Sequence, residues 1–532
     1  MRHFSTLLLT LLFTIQALTQ NFKGTLTPEF KVDRGSSTFN IVFKDETGYY
    51  FLDGKVAARD FVVVASIRME YALIKYDING KIIYEKSYKK ELKGLGLHSI
   101  QVIKNEIYLI AQEYDTKEKT LALSGAQLDK NTGELRYELK PMGNWNYDPS
   151  RNDNINIAPT SDGESLLVKV NLERAIAVSI YSPQLKKEKG VYIRHSFDIE
   201  RFLVDDVNYD KKNNLVAVVR EFDVIKEKGV VVRRKVKKCW IYFYDEQGKK
   251  IKELERPFQG KFLTGCFFIR KGNEDPVIMS QYTTDSARHM VLGIVWIKIN
   301  LATGTITDEK MYELGNKAYS NYTELLGYRY DDITGKFIFF LEYQRQTEDR
   351  TTTFDHRTMI PQNRVDVLYT EYYNEIVLLL LNGQNGNPEV VQVNKAQVET
   401  NSGSGHETSL YSSASLMRLT YKEGLANFAS YKYLIKDGKA YLLFNDNPLN
   451  ANIQDGKVKA AVCEKYSNTA VYGVTINLNN LQVSRKEVFP VDEKFAYKIP
   501  NQFHDQSGFY IFSRKWKISG KHPAKIASVK IE

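Results

Sequence analysis

Eight histidines and three cysteines make up the rarer reactive side chains of this 532-residue sequence. Their spacing excludes the common local site motifs. His3, His98, His195, His289, His356, His406, His504 and His522 never fall at metal-ligand intervals. Gly403-Ser404-Gly405-His406 is not the GxSxG elbow of a serine hydrolase. His406-Glu407 begins an HExxH zinc motif that Leu410 breaks. The sequence has no GxxxxGK[ST] phosphate loop and no GxGxxG turn after a strand. Cys239, Cys266 and Cys463 form no CxxC, and an odd count makes no disulfide framework. One bridge stays open, but buried single thiols fit better.

Oxygen-bearing side chains are densest at Asn445-Asp446-Asn447-Pro448-Leu449-Asn450. A calcium ion takes six to eight oxygens. No EF-hand spacing is present, however, and Asn and Asp before Pro are ordinary turn formers. The expectation is that no cofactor is held, with calcium at this loop as the alternative. Glycoside hydrolysis would need two converging carboxylates. Asp205, Asp206 and Glu324 are the available members, and nothing local sets their separation.

The elements that position these residues are strands. Phe61-Val62-Val63-Val64, Ile107-Tyr108-Leu109-Ile110, Leu215 to Val219, Phe337 to Leu341 and Ala440 to Phe444 are short β-branched or aromatic runs bounded by turn residues. Capped 3.6-residue periodicity is absent, which predicts an all-β chain. A turn at the end of every third strand recurs: Tyr76-Asp77-Ile78-Asn79-Gly80-Lys81, Leu128-Asp129 to Glu134, Tyr244-Asp245 to Lys249, and Ile299-Asn300 to Thr305. Degenerate copies begin at Ser182, Asn382 and Asn477. Asp or Asn accepts local backbone hydrogen bonds there, and Gly supplies positive φ.

The anchors at 77, 129, 182, 245, 300, 382 and 477 lie 52, 53, 63, 55, 82 and 95 residues apart. Four-stranded repeats at roughly 40–60 residues signal a β-propeller. The last 55 residues hold another repeat without its fourth strand, which the segment Phe22 to Val32 could supply. The expectation is a single propeller domain over 20–532, with about eight blades and the last closed by the N-terminal segment. Seven blades stay open as a count, and separate β-sandwiches are the competing architecture. The two wide spacings place insertions near 344–373 and 398–423, read here as loops that bind a partner or decorate the scaffold.

In a propeller, the start of each innermost strand lines the central channel. By register this selects His98, Asn154, Tyr322, Glu324, Tyr431 and His504 as candidate ligand-binding residues, with Ser99, Asn156, Thr264 and Gln502 beside them.

Residues 1–19 read as a signal peptide. Arg2 and His3 precede the apolar stretch Leu7 to Leu18, and Ala17-Leu18-Thr19 forms a small-x-small cleavage site. That stretch is shorter than the roughly 20 residues a membrane helix needs. No later segment is longer, so no transmembrane segment is expected in the mature chain. The formal charge of +10 is spread along the sequence. Its one basic run, Arg233-Arg234-Lys235 with Lys237 and Lys238, sits between Val230 to Val232 and Cys239-Trp240-Ile241. It is read as a solvated hairpin tip, not a nucleic-acid patch.

The signal segment with Gln20 after the cut, the turn from Leu73 to Lys86 and Leu442-Leu443-Phe444-Asn445-Asp446-Asn447 resemble exported propeller-type proteins of Bacteroidetes bacteria. The resemblance spans most of the mature chain and carries no diagnostic catalytic motif. It implies export to the periplasm, cell surface or medium. Asp285-Ser286-Ala287 resembles the short O-glycosylation signal of that phylum. The expected function is a non-enzymatic scaffold that binds a protein or glycan at the envelope. The alternative is a polysaccharide glycosidase or lyase acting at the channel.

Overall fold

The computed structural model describes residues 22–532 except 33–35, 58–67, 147–154, 161–162, 173–174, 195–200, 210–213, 228–229, 246, 258–260, 270–274, 284–292, 314–322, 356–361, 383–387, 407–428, 457, 465–467, 493–494, 498, 500–502 and 516–520. The proposed signal peptide, Asn154, Tyr322, Gln502 and the 285–287 motif all lie outside the described residues.

Eight antiparallel sheets follow one another along the chain. Blades 1 to 7 span 36–87, 96–146, 155–194, 202–257, 262–313, 323–393 and 431–489, each with its strands in sequence order. In blade 8, Ala496–Tyr497 and Phe503–Asp505 both pair with Gly508–Arg514, which pairs with His522–Ile531. The outer edge of His522–Ile531 is taken by the N-terminal segment. Phe22 pairs with Ile531, Leu26 with Ala527 and Phe30 with Ala524. The first and last strands thus close an eight-bladed β-propeller, removing the open edge that a linear array would leave.

The apolar runs pack the blades against each other. Eight clusters of buried hydrophobic residues are present among the described residues, one at each blade-to-blade interface. Leu215, Ala217 and Val219 face blade 3, while Val216 and Val218 face blade 5. Phe337, Phe339 and Leu341 face blade 5, and Ile338 and Phe340 face blade 7. A strand buried on both faces needs apolar residues at every position, which is why these runs do not alternate.

All seven anchor turns join the third and fourth strands of a blade. At the first, Asp77 Oδ1 accepts the Asn79 amide at 2.9 Å and the Lys81 amide at 2.8 Å, and Gly80 takes φ +80°. In the degenerate copies Leu185 and Leu481 take the positive φ instead.

The first predicted loop insertion is paired strand in the structure, and so is the start of the second. In blade 6 the second and third strands, Lys336–Asp355 and Gln362–Asn382, continue as a paired ladder from Gln344↔Tyr373 to Asp355↔Gln362. Twelve residues at about 3.3 Å each extend this arm roughly 40 Å. A third strand, Gln397–His406, pairs along 364–373; residues 407–423 lie outside the described residues. The Thr and Val residues of this stretch favour strand.

A second arm rises from blade 4, where Leu215–Glu227 and Val230–Tyr244 stay paired beyond Glu221. The basic run lies along this arm rather than at its tip. Arg233 pairs with Ile225 and Arg234 with Val224, because Val230 to Val232 already belong to the strand. Both arms are second-to-third hairpins, and in a meander these emerge on the same face of the ring. The tight Asp and Asn turns emerge on the other.

Candidate functional site

The innermost strands of five blades share one irregularity. Their ladders shift register at Val42, His98, Asp205, Thr264 and Leu326. Such bulges re-aim side chains and break pairing, and they concentrate where a strand must do more than pair. At the blade 2 bulge, His98 Nδ1 lies 2.9 Å from Ser99 Oγ. Burial holds its imidazole below the usual histidine range, partly offset by a backbone bond to Ile155 on blade 3.

At the blade 4 bulge, Asp205 takes two bonds from Arg220, 2.6 Å from Nε and 2.8 Å from Nη2. Its Oδ2 also accepts the Cys266 amide at 2.9 Å, and Asp206 Oδ2 accepts the Phe268 amide at 2.9 Å. Burial pushes both carboxyls above the ordinary range, against Arg220 at Asp205 and the Phe268 amide at Asp206. Both carboxylates therefore tie the inner strand of blade 4 to that of blade 5. Glu324 is the second residue of the inner strand Thr323–Asp331 of blade 6 and pairs with Glu342.

Tyr431 is only 4% exposed, and its hydroxyl donates to Leu341 O at 3.3 Å. Burial, followed by the Glu342 charge, pushes that hydroxyl well up. A neighbouring blade's carbonyl thus takes the hydroxyl, and the ring sits at the blade 6–7 interface.

His504 stands on the short inner strand of blade 8 with its ring over Phe509, centroids 6.2 Å apart. Its pKa is lowered to about 4, first by burial and then by the charges of Lys432 and Arg329. These two cations occupy the inner strands of blades 7 and 6. Arg329 Cζ lies 5.7 Å from the Tyr433 ring and Nη1 donates to Tyr328 O at 2.8 Å. Burial and Arg329 hold the Lys432 ammonium below its usual range. Arg329, Lys432 and His504 stand on the inner strands of three consecutive blades. Sequence reasoning found only His504. The missed signal was Tyr328-Arg329-Tyr330 and Tyr431-Lys432-Tyr433, a cation between two tyrosines on successive inner strands.

A second polar cluster braces the root of the blade 6 arm. Lys395 Nζ lies 2.5 Å from Glu342 Oε1 and 2.8 Å from Gln397 Oε1. Ser430, held at φ +71°, donates its hydroxyl to Glu342 Oε2 at 2.6 Å and its amide to Gln397 Oε1 at 2.6 Å. A non-glycine residue in that conformation persists only when its surroundings fix it.

The loop read as a calcium candidate joins the same brace. Asp446 Oδ2 lies 2.6 Å from Arg485 Nη1, and Asp446 Oδ1 accepts Asn450 Nδ2 and the Asn447 amide, each at 2.8 Å. Asn445 Nδ2 donates to Tyr497 O at 2.7 Å. The cation facing Asp446 is Arg485, and these oxygens are already engaged by protein donors. Among the described residues no group of three His, Cys, Asp or Glu is placed to hold a metal ion.

The sequence matches no family model and no curated protein. Similar solved structures include the β-propeller domain of the Trilobed protease from Pyrococcus furiosus, at 9% identity and TM-score 0.32, covering 86% of this chain and 98% of that one. The polysaccharide lyase Uly1 is 9% identical with TM-score 0.34, covering 95% and 100%. Prolyl oligopeptidase B from Galerina marginata is 13% identical with TM-score 0.27 over 60% of this chain. This chain spans 37% of that oligopeptidase's length. At these identities the likenesses identify neither activity nor ligand.

Proposed function

We propose that this protein is an exported, non-enzymatic propeller scaffold that engages a protein or glycan partner of the bacterial envelope through the face carrying its arms. The observation that carries this reading is the braced root of the blade 6 arm. A buried ion pair, the buried amide side chain of Gln397 and Ser430 at positive φ fix a three-stranded element that projects away from the ring. Holding the arm rigid before contact reduces the ordering cost of binding. The blade 4 arm rises on the same face and supplies a second contact.

The alternative of a glycosidase or lyase at the channel draws on Asp205, Asp206 and Glu324, and the first two are engaged by the backbone of blade 5. The test is affinity capture with tagged residues 20–532 from envelope extract of the source organism, with eluates assayed for protein and for sugar. A stoichiometric partner on the intact protein, lost when 345–372 is replaced by a two-residue turn, supports the scaffold. Trimmed glycan without a bound partner moves the assignment to the enzyme.

A further inference from the structure

Cys239 and Cys266 stand on different blades with their sulfurs 4.0 Å apart and both side chains buried. Cys239 lies on Val230–Tyr244, the third strand of blade 4, and Cys266 on Phe262–Ile269, the inner strand of blade 5. Polar groups build this juxtaposition. Arg220 sits opposite Cys239 in the blade 4 ladder. It is held by Asp205, and its Nη1 donates to Leu263 O of blade 5 at 3.1 Å. Asp205 Oδ2 accepts the Cys266 amide at 2.9 Å. Blade 4 therefore grips the inner strand of blade 5 at Leu263 and at Cys266, on either side of its register shift. The sulfurs of a disulfide lie about 2 Å apart. Rotation about the two Cα–Cβ bonds swings each sulfur along an arc, and the backbones that must face each other are already held.

We infer that Cys239 and Cys266 are a redox-sensitive pair that closes into a disulfide between blades 4 and 5 when the chain folds in the presence of a disulfide oxidant. One cysteine thiolate attacks a sulfur of the oxidant and expels half of it as a thiol. The second cysteine's sulfur then attacks the mixed disulfide and expels the other half. Two S–H bonds and the oxidant's S–S bond break, and one S–S bond forms in the protein. The two electrons and two protons leave on the two released thiols. Burial of both sulfurs closes this route in the packed protein, so the bridge is laid down before blade 5 docks on blade 4. A chain folded under reductant keeps both thiols. The pair Arg220↔Cys239 adjoins Glu221, beyond which the blade 4 arm leaves the ring. The disulfide ties that arm's root to blade 5, as the Lys395–Glu342 pair braces the root of the blade 6 arm. The bond stands whether or not the arms bind a partner.

The test refolds residues 20–532 from urea in mixed reduced and oxidised glutathione, and separately in reduced glutathione alone. Each product is unfolded, alkylated and analysed by mass spectrometry. After oxidative refolding only Cys463 should be alkylated, with Cys239 and Cys266 recovered in one cross-linked peptide. After reductive refolding all three cysteines should be alkylated. Cys239→Ala should leave Cys266 and Cys463 alkylated under both conditions. Protein exported by an expression host into an oxidising periplasm should show the same bridge without a refolding step. Alkylation of all three cysteines in the oxidised and exported proteins, or a bridge that includes Cys463, would overturn the inference.

Discussion

The Lys395 ammonium lies 2.5 Å from the Glu342 carboxylate, and neither side chain is exposed at all. The pair joins Glu342, the last residue of the blade 6 ladder before its register shift, to the connection that leads into Gln397–His406, the strand flanking the arm. Taking two charges out of water is costly, and their attraction offsets that cost only while both remain. Lys395→Met should therefore destabilise the protein by about 3–5 kcal/mol, because Glu342 is left buried without its counter-charge. Adding Glu342→Leu should restore much of the loss. Urea unfolding of the two variants checks this, and equal midpoints for the single and double variants would contradict it.

Ring closure rests on the N-terminal strand. Phe22 is 5% exposed and packs edge-on against Tyr441, centroids 5.7 Å apart. A Cβ on Gly473 would fall 2.6 Å from its ring, so that glycine leaves the space the ring fills. Phe22→Ala should cost about 3–5 kcal/mol, the usual scale for emptying a core aromatic site. Hydrogen exchange should show amides of His522–Ile531 losing protection first. Unchanged exchange there would show that closure does not depend on this strand.

His504 gives a pH signature with a definite sign. Its pKa is about 4 in the folded protein, against an unfolded value near 6.5. Between these two values the unfolded chain binds more protons, so stability rises with pH across roughly pH 4 to 6.5. A His504→Gln variant should lose that part of the pH dependence. By NMR the His504 imidazole should titrate near pH 4, and higher in Lys432→Gln, where one opposing charge is gone. A midpoint near 6.5 in the unmodified protein would contradict the burial of this ring.

The thiols make a further check. Cys239 and Cys266 face each other across the blade 4–5 interface, 4.0 Å between sulfurs, and Cys463 is also buried. The Cys239 hydrogen bond and burial raise the Cys266 thiol well above its usual range. Since thiolate is the reactive form, neither should react with a soluble disulfide reagent until the protein unfolds. Fast labelling of the native protein would contradict this burial.

The architecture was legible because its cues are local. Asp77, Asp129, Asp245 and Asn300 with their following glycines mark turns that depend on neighbours two to four residues away. Counting them yielded the blades, and the unfinished last repeat pointed to Phe22 as its closing strand. The arms were misread because anchor spacing measures inserted length and not its conformation. The strand cue was present in Thr351-Thr352-Thr353 opposite Val365. Site residues were harder because they depend on contacts between blades. Nothing near Tyr431 in sequence shows that the Leu341 carbonyl, 90 residues away, takes its hydroxyl. Tyr328-Arg329-Tyr330 reads as ordinary alternation, with nothing local to show that the Arg329 guanidinium reaches the Tyr433 ring of the next blade.

The most direct test of the scaffold is the affinity of its captured partner for intact residues 20–532, compared with a version whose 345–372 segment is shortened to a two-residue turn. The ring and the Lys395–Glu342 pair remain in the shortened protein, so both should unfold cooperatively, with only Gln397–His406 losing the strand it pairs with. Binding should fall at least a hundredfold in the shortened protein. Equal affinity in the two proteins would show that the arm is not where the partner docks, and the central claim would fail.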